Sequence, residues 1–523
     1  MAKHTRDTAA AAAALVFLTG LMAAPAGAAT PGPASPAPSS SSSSSPSSSR
    51  ARFVPGPCPK TAEPVPELAK ARCGFLEVPE NRARPGGRTL RLATAVLPAV
   101  SAKPAAEPVV FMAGGPGGET FDDIPFLVSS GLNAGRDLIV MAQRGNRYDE
   151  PNLACPEVDR FNARYVGLGY DSAQAKSQML DAFKQCRARL TADGTDLGAY
   201  NTVENAADFA DLRTALGIAR WNVYGYSYGT NLALTLLRTH PEGIRAVAID
   251  SVTPPQSVVL PWGWPSAQEG VGAILDACAA QPACENRYPD LRRTLDEQVR
   301  RLEAHPLTLT ASPPKGGNPV KVVLDGGAVL NVLVANTIKP VDVPAAIDEL
   351  AHGKPDRFAR ARAVDATPSL GMTAHGLTES VACAEWTPGV AESDVLAAGR
   401  KAFPGWPDTV LAQTPQLPFQ FDVCRTWNVP DRAAQQRVAA VSSLPVLLLS
   451  GTFDQKTGSE FAKDAARTLS RSTSVKIPGI THWVVPQSPC AAKVLASFLD
   501  RPTAPDTGCV TGLAPAPFTI TPK

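Results

Sequence analysis

The chain has 523 residues, 44% of them apolar, with 50 basic against 48 acidic side chains and a formal net charge of +2. That length suits one large domain with a smaller insertion, and the apolar content is enough for a sizeable core. The near balance of charge gives no electrostatic ground for a nucleic acid or an anionic surface as partner.

The first residues read as an export signal. Lys3, His4 and Arg6 form a basic start, an apolar stretch from Ala9 to Ala24 follows, and Ala26-Gly27-Ala28 supplies the small-x-small pattern of a cleavage site. Residues 1–28 are therefore expected to be removed, and the mature protein to be secreted and extracellular. Residues 29–52 are almost all Pro, Ser, Ala, Gly and Thr, a composition that cannot bury apolar surface and reads as a disordered tether. No later stretch is long and apolar enough to span a bilayer, so no stable membrane association is expected.

From there apolar, β-rich runs alternate with helical patterns, the rhythm of a mostly parallel sheet flanked by helices. The expected strands are Thr89–Val96, Pro108–Met112, Asp137–Ala142, Asn222–Gly225, Ala246–Asp250, Leu444–Ser450 and Ser474–Pro478. Several are unbroken apolar runs, as in strands buried on both faces. Glu204–Leu216 and Thr230–Arg238 read as helices on either side of the Trp221–Gly225 strand. Between Pro254 and about Ala440 the rhythm breaks into helical segments such as Leu291–Ala304, many prolines and four of the ten cysteines. The expected organisation is a core over 53–255, an inserted, mainly helical cap over 256–440, and the rest of the core over 441–523.

An even count of ten cysteines behind an export signal predicts disulfides. Sequence does not fix their connectivity. Pairing sequential neighbours closes the shortest loops: 58–73, 155–186, 278–284, 383–424 and 490–509. There is no Cys-x-x-Cys pair and the six histidines are scattered, so a metal site has no support and no cofactor is expected.

Chemistry is concentrated in three places. Gly225-Tyr226-Ser227-Tyr228-Gly229 follows a strand and opens a helix, the context in which a sharp turn presents a serine hydroxyl at a helix N-terminus. Ser227 is the expected nucleophile. It needs a base, and the base an orienting acid. Of the histidines beyond it, His240, His305, His352 and His375 fall on the following helix or in the insertion. His482 instead follows the last strand, in a loop at the carboxyl edge of the sheet where such sites form. Asp454 is the first acid after the Leu444–Ser450 strand, 28 residues before His482, and is the expected orienting acid. Glu460 and Asp464 compete for that role from helical, solvated positions. Gly114-Gly115-Pro116-Gly117-Gly118 follows the second core strand. It lacks the Gly-Lys-Ser/Thr of a phosphate loop and the spacing of a dinucleotide fingerprint. The backbone amides of Gly115 and Tyr228 are the expected oxyanion donors.

Taken together with Gln143-Arg144-Gly145, Asp250-Ser251-Val252-Thr253-Pro254-Pro255, Gly451-Thr452-Phe453-Asp454 and the terminal His482–Cys490–Cys509 block, these motifs resemble the secreted tripeptidyl-aminopeptidases, relatives of the prolyl iminopeptidases in the α/β-hydrolase superfamily. The resemblance runs from about Cys58 to Cys509. It implies an α/β-hydrolase fold, an exopeptidase releasing short peptides from free N-termini, peptide substrates, and a cap over the site. It also implies an acidic residue in the cap: Glu385, in Cys383-Ala384-Glu385-Trp386, is the candidate for the substrate ammonium, with Glu119, Asp122 and Asp123 as rivals. The chain departs from the family pattern at Ala142, at Asn146-Arg147-Tyr148, at Gln455-Lys456-Thr457-Gly458, and at Trp483, where glycine commonly follows the histidine. An esterase or lipase using the same three residues is the alternative reading, and a protein of this fold used only for binding is a third. A monomer is expected.

Overall fold

The computed structural model describes residues 51–314, 316–366, 371–415 and 417–522. The expected export signal and all but the last two residues of the tether lie outside them. Eleven strands form: β1 (Arg52–Pro55), β2 (Arg72–Pro79), β3 (Thr89–Leu97), β4 (Val109–Met112), β5 (Leu138–Met141), β6 (Trp221–Tyr226), β7 (Ile244–Asp250), β8 (Leu307–Ala311), β9 (Val320–Leu324), β10 (Val446–Gly451) and β11 (Ser472–Ile477). Nine of them make one sheet in the order β1-β2-β3-β5-β4-β6-β7-β10-β11. The run from β5 to β11 is parallel, while β1, β2 and β3 add an antiparallel edge.

The central strands β4 and β5 are apolar at every position because both faces of the sheet are covered there. Successive side chains go to opposite sides: Val109 and Phe111 of β4 join one core, Val110 and Met112 the other, and Leu447 and Leu449 of β10 are likewise split from Val446 and Leu448. Helix Pro489–Asp500 closes the first face with Val494, Leu495 and Phe498. Phe209 and Leu232, from helices Thr202–Ala215 and Tyr228–Thr239, close the second.

All seven expected strands are present, with ends shifted by up to two residues. The unexpected ones lie outside the parallel core. β2 carries a glycine, a proline and two charged residues, features that demote a strand from sequence yet are tolerated near a sheet edge. β8 and β9 form a separate antiparallel hairpin within the segment between β7 and β10. That segment is otherwise helical, beginning with Val259–Ala279.

Five disulfides pair sequential cysteines: Cys58–Cys73, Cys155–Cys186, Cys278–Cys284, Cys383–Cys424 and Cys490–Cys509. No described helix is long and apolar enough to cross a membrane.

Candidate active site

Chain order reverses between β4 and β6: from β4 the chain runs to β5 on one side and later to β6 on the other. Loops leaving these two neighbours at their carboxyl ends therefore diverge and open a crevice, the usual binding position in an open parallel sheet. The Gly114–Gly118 loop leaves β4, and Ser227 leaves β6.

Ser227 has φ 54° and ψ −127°, a conformation that costs an L-residue roughly 1–3 kcal/mol and persists only where its surroundings impose it. Those surroundings are close. A Cβ on Gly225 would lie 2.3 Å from the Gly229 carbonyl oxygen, and one on Gly229 only 2.1 Å from that of Met112. The strand, the turn and the helix can approach this tightly only with glycine at both positions. The Ser227 amide donates to the Asp250 carbonyl at 2.9 Å, which ties the turn to the end of β7.

Asp454 and His482 meet at the ends of β10 and β11. The His482 Nδ1 atom lies 3.1 and 3.0 Å from the two carboxylate oxygens of Asp454. Asp454 also accepts from the amides of Lys456 and Thr457 at 2.9 and 3.0 Å and from the Thr457 hydroxyl at 2.7 Å. Burial acts to raise its carboxyl, but the His482 imidazole and these hydrogen bonds outweigh it and hold the group at about 2. An ionised carboxylate only accepts, so Nδ1 carries the imidazole proton and Nε2 the lone pair. Among the described residues, neither Ser227 Oγ nor His482 Nε2 has a hydrogen-bond partner, so both atoms are uncommitted. Glu460 is exposed and paired with Lys463, and Asp464 accepts from Ser257 and Arg467; neither contacts His482.

Ser227, Gly115, Tyr228 and Thr457 line one cavity of about 170 Å³ with apolar walls that include Leu260, Trp386 and Phe461. Tyr228 opens helix Tyr228–Thr239, whose first amides have no partner within the helix. Lys456 reaches the same cavity, and burial pulls its ammonium below the usual lysine range against the pull of Asp454 and Asp365.

The glycine loop is held by a residue whose role the sequence left open. Gln143 accepts from the Gly117 amide at 3.3 Å and donates to the Ala113 carbonyl at 2.8 Å, stapling the loop at both ends. Its neighbour Arg144 is fully buried. It spans both oxygens of Asp208 at 2.8 Å and reaches the carbonyls of Glu80 and Ala199. The Gln-Arg-Gly motif is thus scaffolding for the loop.

The expected ammonium contact is placed differently. Glu385 is fully buried and does not line the Ser227 cavity. Both of its oxygens accept from Thr202, from the amide at 2.7 Å and the hydroxyl at 2.6 Å, and Thr202 in turn meets the Tyr228 hydroxyl at 2.8 Å. Through Thr202 its carboxyl group buttresses Tyr228, the residue after Ser227. The rivals also face inward: Glu119 accepts from the Phe121 amide and Asp123 from the Tyr226 hydroxyl, and neither lines the cavity.

Other carboxylates are available. A second cavity of about 430 Å³ shares Thr378 and Leu417 with the first and is lined by Asp159, Asp365 and Glu379 together with Arg362 and His375. Glu379 is held by Gln420 at 2.8 Å, and burial pushes its carboxyl up to about 7 against that hydrogen bond and the nearby His375. Asp159 accepts from His375 Nε2 at 3.1 Å. Glu379 also lies beside Cys383 and Cys424, but both sulfurs are tied in a disulfide and offer no thiolate to a metal.

Residues 107–270 match the family model described as alpha/beta hydrolase fold, and residues 413–511 that of TAP-like proteins. The serine protease Hip1 of Mycobacterium tuberculosis is 23% identical over 486 residues, covering 86% of this chain and 89% of that protein. A proline iminopeptidase of Xylella fastidiosa is 34% identical over 133 residues, covering 23% of this chain and 41% of that protein. A tripeptidyl aminopeptidase of Streptomyces coelicolor is 26% identical over 193 residues, covering 35% of each. With a mostly parallel sheet, a strained serine between β6 and its helix, and an Asp–His pair at the ends of β10 and β11, the chain has the α/β-hydrolase fold and is a hydrolase similar to tripeptidyl aminopeptidases and proline iminopeptidases.

Proposed function

We propose that the protein is a secreted serine exopeptidase that hydrolyses peptide bonds near free N-termini through Ser227, His482 and Asp454. The observation that carries this reading is the bidentate approach of Asp454 to His482 Nδ1, which leaves Nε2 with its lone pair on the same edge of the sheet as the cavity that Ser227 and Thr457 line. His482 takes the hydroxyl proton as Ser227 attacks the scissile carbonyl, and the amides of Gly115 and Tyr228 hold the oxyanion. His482 then protonates the leaving amine, and water hydrolyses the acyl-enzyme by the reverse sequence.

Two observations support peptides with a free N-terminus as substrates. The similar proteins include a tripeptidyl aminopeptidase and a proline iminopeptidase. The second cavity adjoins the Ser227 cavity and is lined by three carboxyl groups against one guanidinium, and a substrate ammonium placed there would draw Glu379, raised by burial to about 7, into its ionised form. In this reading Glu379 and Asp159 take the place expected for Glu385. Five disulfides support an oxidising, extracellular setting.

The test is hydrolysis of a tripeptide anilide with a free N-terminus, beside its N-acetylated twin and a short-chain aryl ester, by the wild type and Ser227→Ala. Cleavage of the free tripeptide alone, by the wild type alone, is expected. Turnover of the ester alone would transfer the same three residues to an esterase and make the apolar walls around Leu260 and Trp386 an acyl pocket.

A further inference from the structure

The loop that carries His482 is gripped from a direction that the three proposed catalytic residues do not explain. Asp250 ends β7 and is fully buried. Its Oδ1 accepts from the Val484 amide at 2.9 Å and its Oδ2 from the Val485 amide at 2.9 Å. The Tyr224 hydroxyl donates to Oδ2 at 3.0 Å and the Ser251 hydroxyl to Oδ1 at 3.2 Å. Ser251 Oγ in turn accepts from the Trp483 amide at 2.9 Å. Three consecutive amides directly after His482 thus end on one carboxylate and the hydroxyl beside it. Among the described residues no cationic side chain pairs with this carboxylate, and burial pushes it up to about 6 against the Val484, Val485 and Tyr224 hydrogen bonds.

The grip falls where the backbone needs holding. Trp483 has φ 66°, a left-handed conformation that glycine adopts freely and tryptophan does not. Its ring stacks on Tyr226 with centroids 4.3 Å apart, and its Nε1 donates to the Tyr224 hydroxyl at 3.1 Å. Ser251 is itself left-handed at φ 58°. At its other end Asp250 reaches the nucleophile turn, since its carbonyl accepts from the Ser227 amide. One residue therefore binds the backbone under Ser227 with its carbonyl and the backbone after His482 with its side chain.

We propose that Asp250 is a positioning residue that sets the distance and angle between Ser227 and His482, acting through the loop rather than on the imidazole; this rests on the reading of those two residues as nucleophile and base. A carboxylate suits the task because it is an acceptor at both oxygens, while an amide of the same shape turns one of them into a donor facing an N–H. Displacements on the scale of an ångström between reacting groups cost roughly 100-fold in rate.

The experiment measures the rate at which a fluorophosphonate acylates Ser227 in the wild type, Asp250→Asn, His482→Ala and the double variant, with anilide kinetics and thermal melting alongside. A fluorophosphonate reads an activated serine whether the natural substrate is a peptide or an ester. Asp250→Asn is expected to slow labelling by about 10–100-fold and to lower kcat by a similar factor with KM little changed, while keeping a cooperative melt. In the His482→Ala background it should add less than about threefold, because there is no longer a base to misplace. The proposal is overturned if Asp250→Asn folds and labels at the wild-type rate, or if it costs as much without His482 as with it. Should His482→Ala itself label like the wild type, the reading of His482 as base falls and this proposal with it. If Asp250→Asn does not fold, Ser251→Ala takes its place. It removes only the partner of the Trp483 amide, and about a threefold to tenfold loss that vanishes without His482 is expected; no loss overturns the proposal.

Discussion

The ends of β7 and β10 present the same residue type under nearly the same burial and give it opposite chemistry. Asp250 and Asp454 are at most 1% exposed, and each accepts four hydrogen bonds. Asp454 is in direct contact with an imidazole and is held at about 2, whereas Asp250 bonds only to amides and hydroxyls, feels the same imidazole without contacting it, and rises to about 6. Hydrogen bonds and a more remote imidazole do not offset the desolvation of Asp250; an imidazole in direct contact does so for Asp454. Asp454 is thereby suited to stabilise an imidazolium during turnover, and Asp250 to hold a backbone in place.

The largest expected effect concerns the serine that both strands serve. Ser227→Ala should cut anilide hydrolysis by about 10⁴-fold or more and leave the melting temperature within a few degrees, since its hydroxyl makes no hydrogen bond among the described residues. Loss of folding in that variant would instead make the turn structural. Next, Asp454→Asn should lower kcat by roughly 10³–10⁴-fold by releasing the Nδ1–H tautomer. A loss no greater than that of Asp250→Asn would erase the distinction between the two carboxylates.

The cavities supply a comparison of intermediate size. Glu379→Gln should reduce the preference for a free over an acetylated tripeptide anilide by about tenfold, mostly through KM, because it removes the carboxyl that a bound ammonium would ionise. Glu385→Gln should change that preference by less than about threefold, because its oxygens are already occupied by Thr202. The opposite ranking would return the ammonium to Glu385.

The smallest effect is on stability against pH. Asp250 has a raised carboxyl, so its contribution is complete below the unfolded value of about 4 and is lost as pH climbs through about 6. Asp454 is depressed, so its contribution is complete above about 4 and is lost as pH falls towards about 2. Calorimetric melts from pH 2 to 8 should therefore show Asp250→Asn flattening the fall on the neutral side and Asp454→Asn flattening it on the acid side. A single variant that flattened both limbs would mean the two groups titrate together.

Much of this site was legible because its chemistry is written locally. Gly225 and Gly229 mark a turn too tight for a side chain, so Ser227 could be read from five residues. Asp454 follows the apolar run of β10, which reads as a strand buried on both faces, and His482 follows β11; the parallel pairing of β10 with β11 then brings those strand ends together. The disulfides followed from short loops between neighbouring cysteines. The surroundings of Glu385 were not legible, because a charged residue in a cap motif looks the same whether it faces a cavity or is sealed against Thr202. Glu379, one helical turn and a half earlier, carries no motif at all. Trp483 appeared only as a departure from the family pattern, and its left-handed φ gives the physical sense of the glycine usually found there.

From its order of residues alone, the chain determined which side chains could do chemistry and which strands would be buried on both faces, because turn geometry and apolar patterning act over a few residues. Only the tertiary structure decided which carboxylate meets an imidazole, which meets amides and which faces a cavity. Those outcomes depend on what a fold packs against each group from hundreds of residues away, and that environment sets the charge a buried acid can hold.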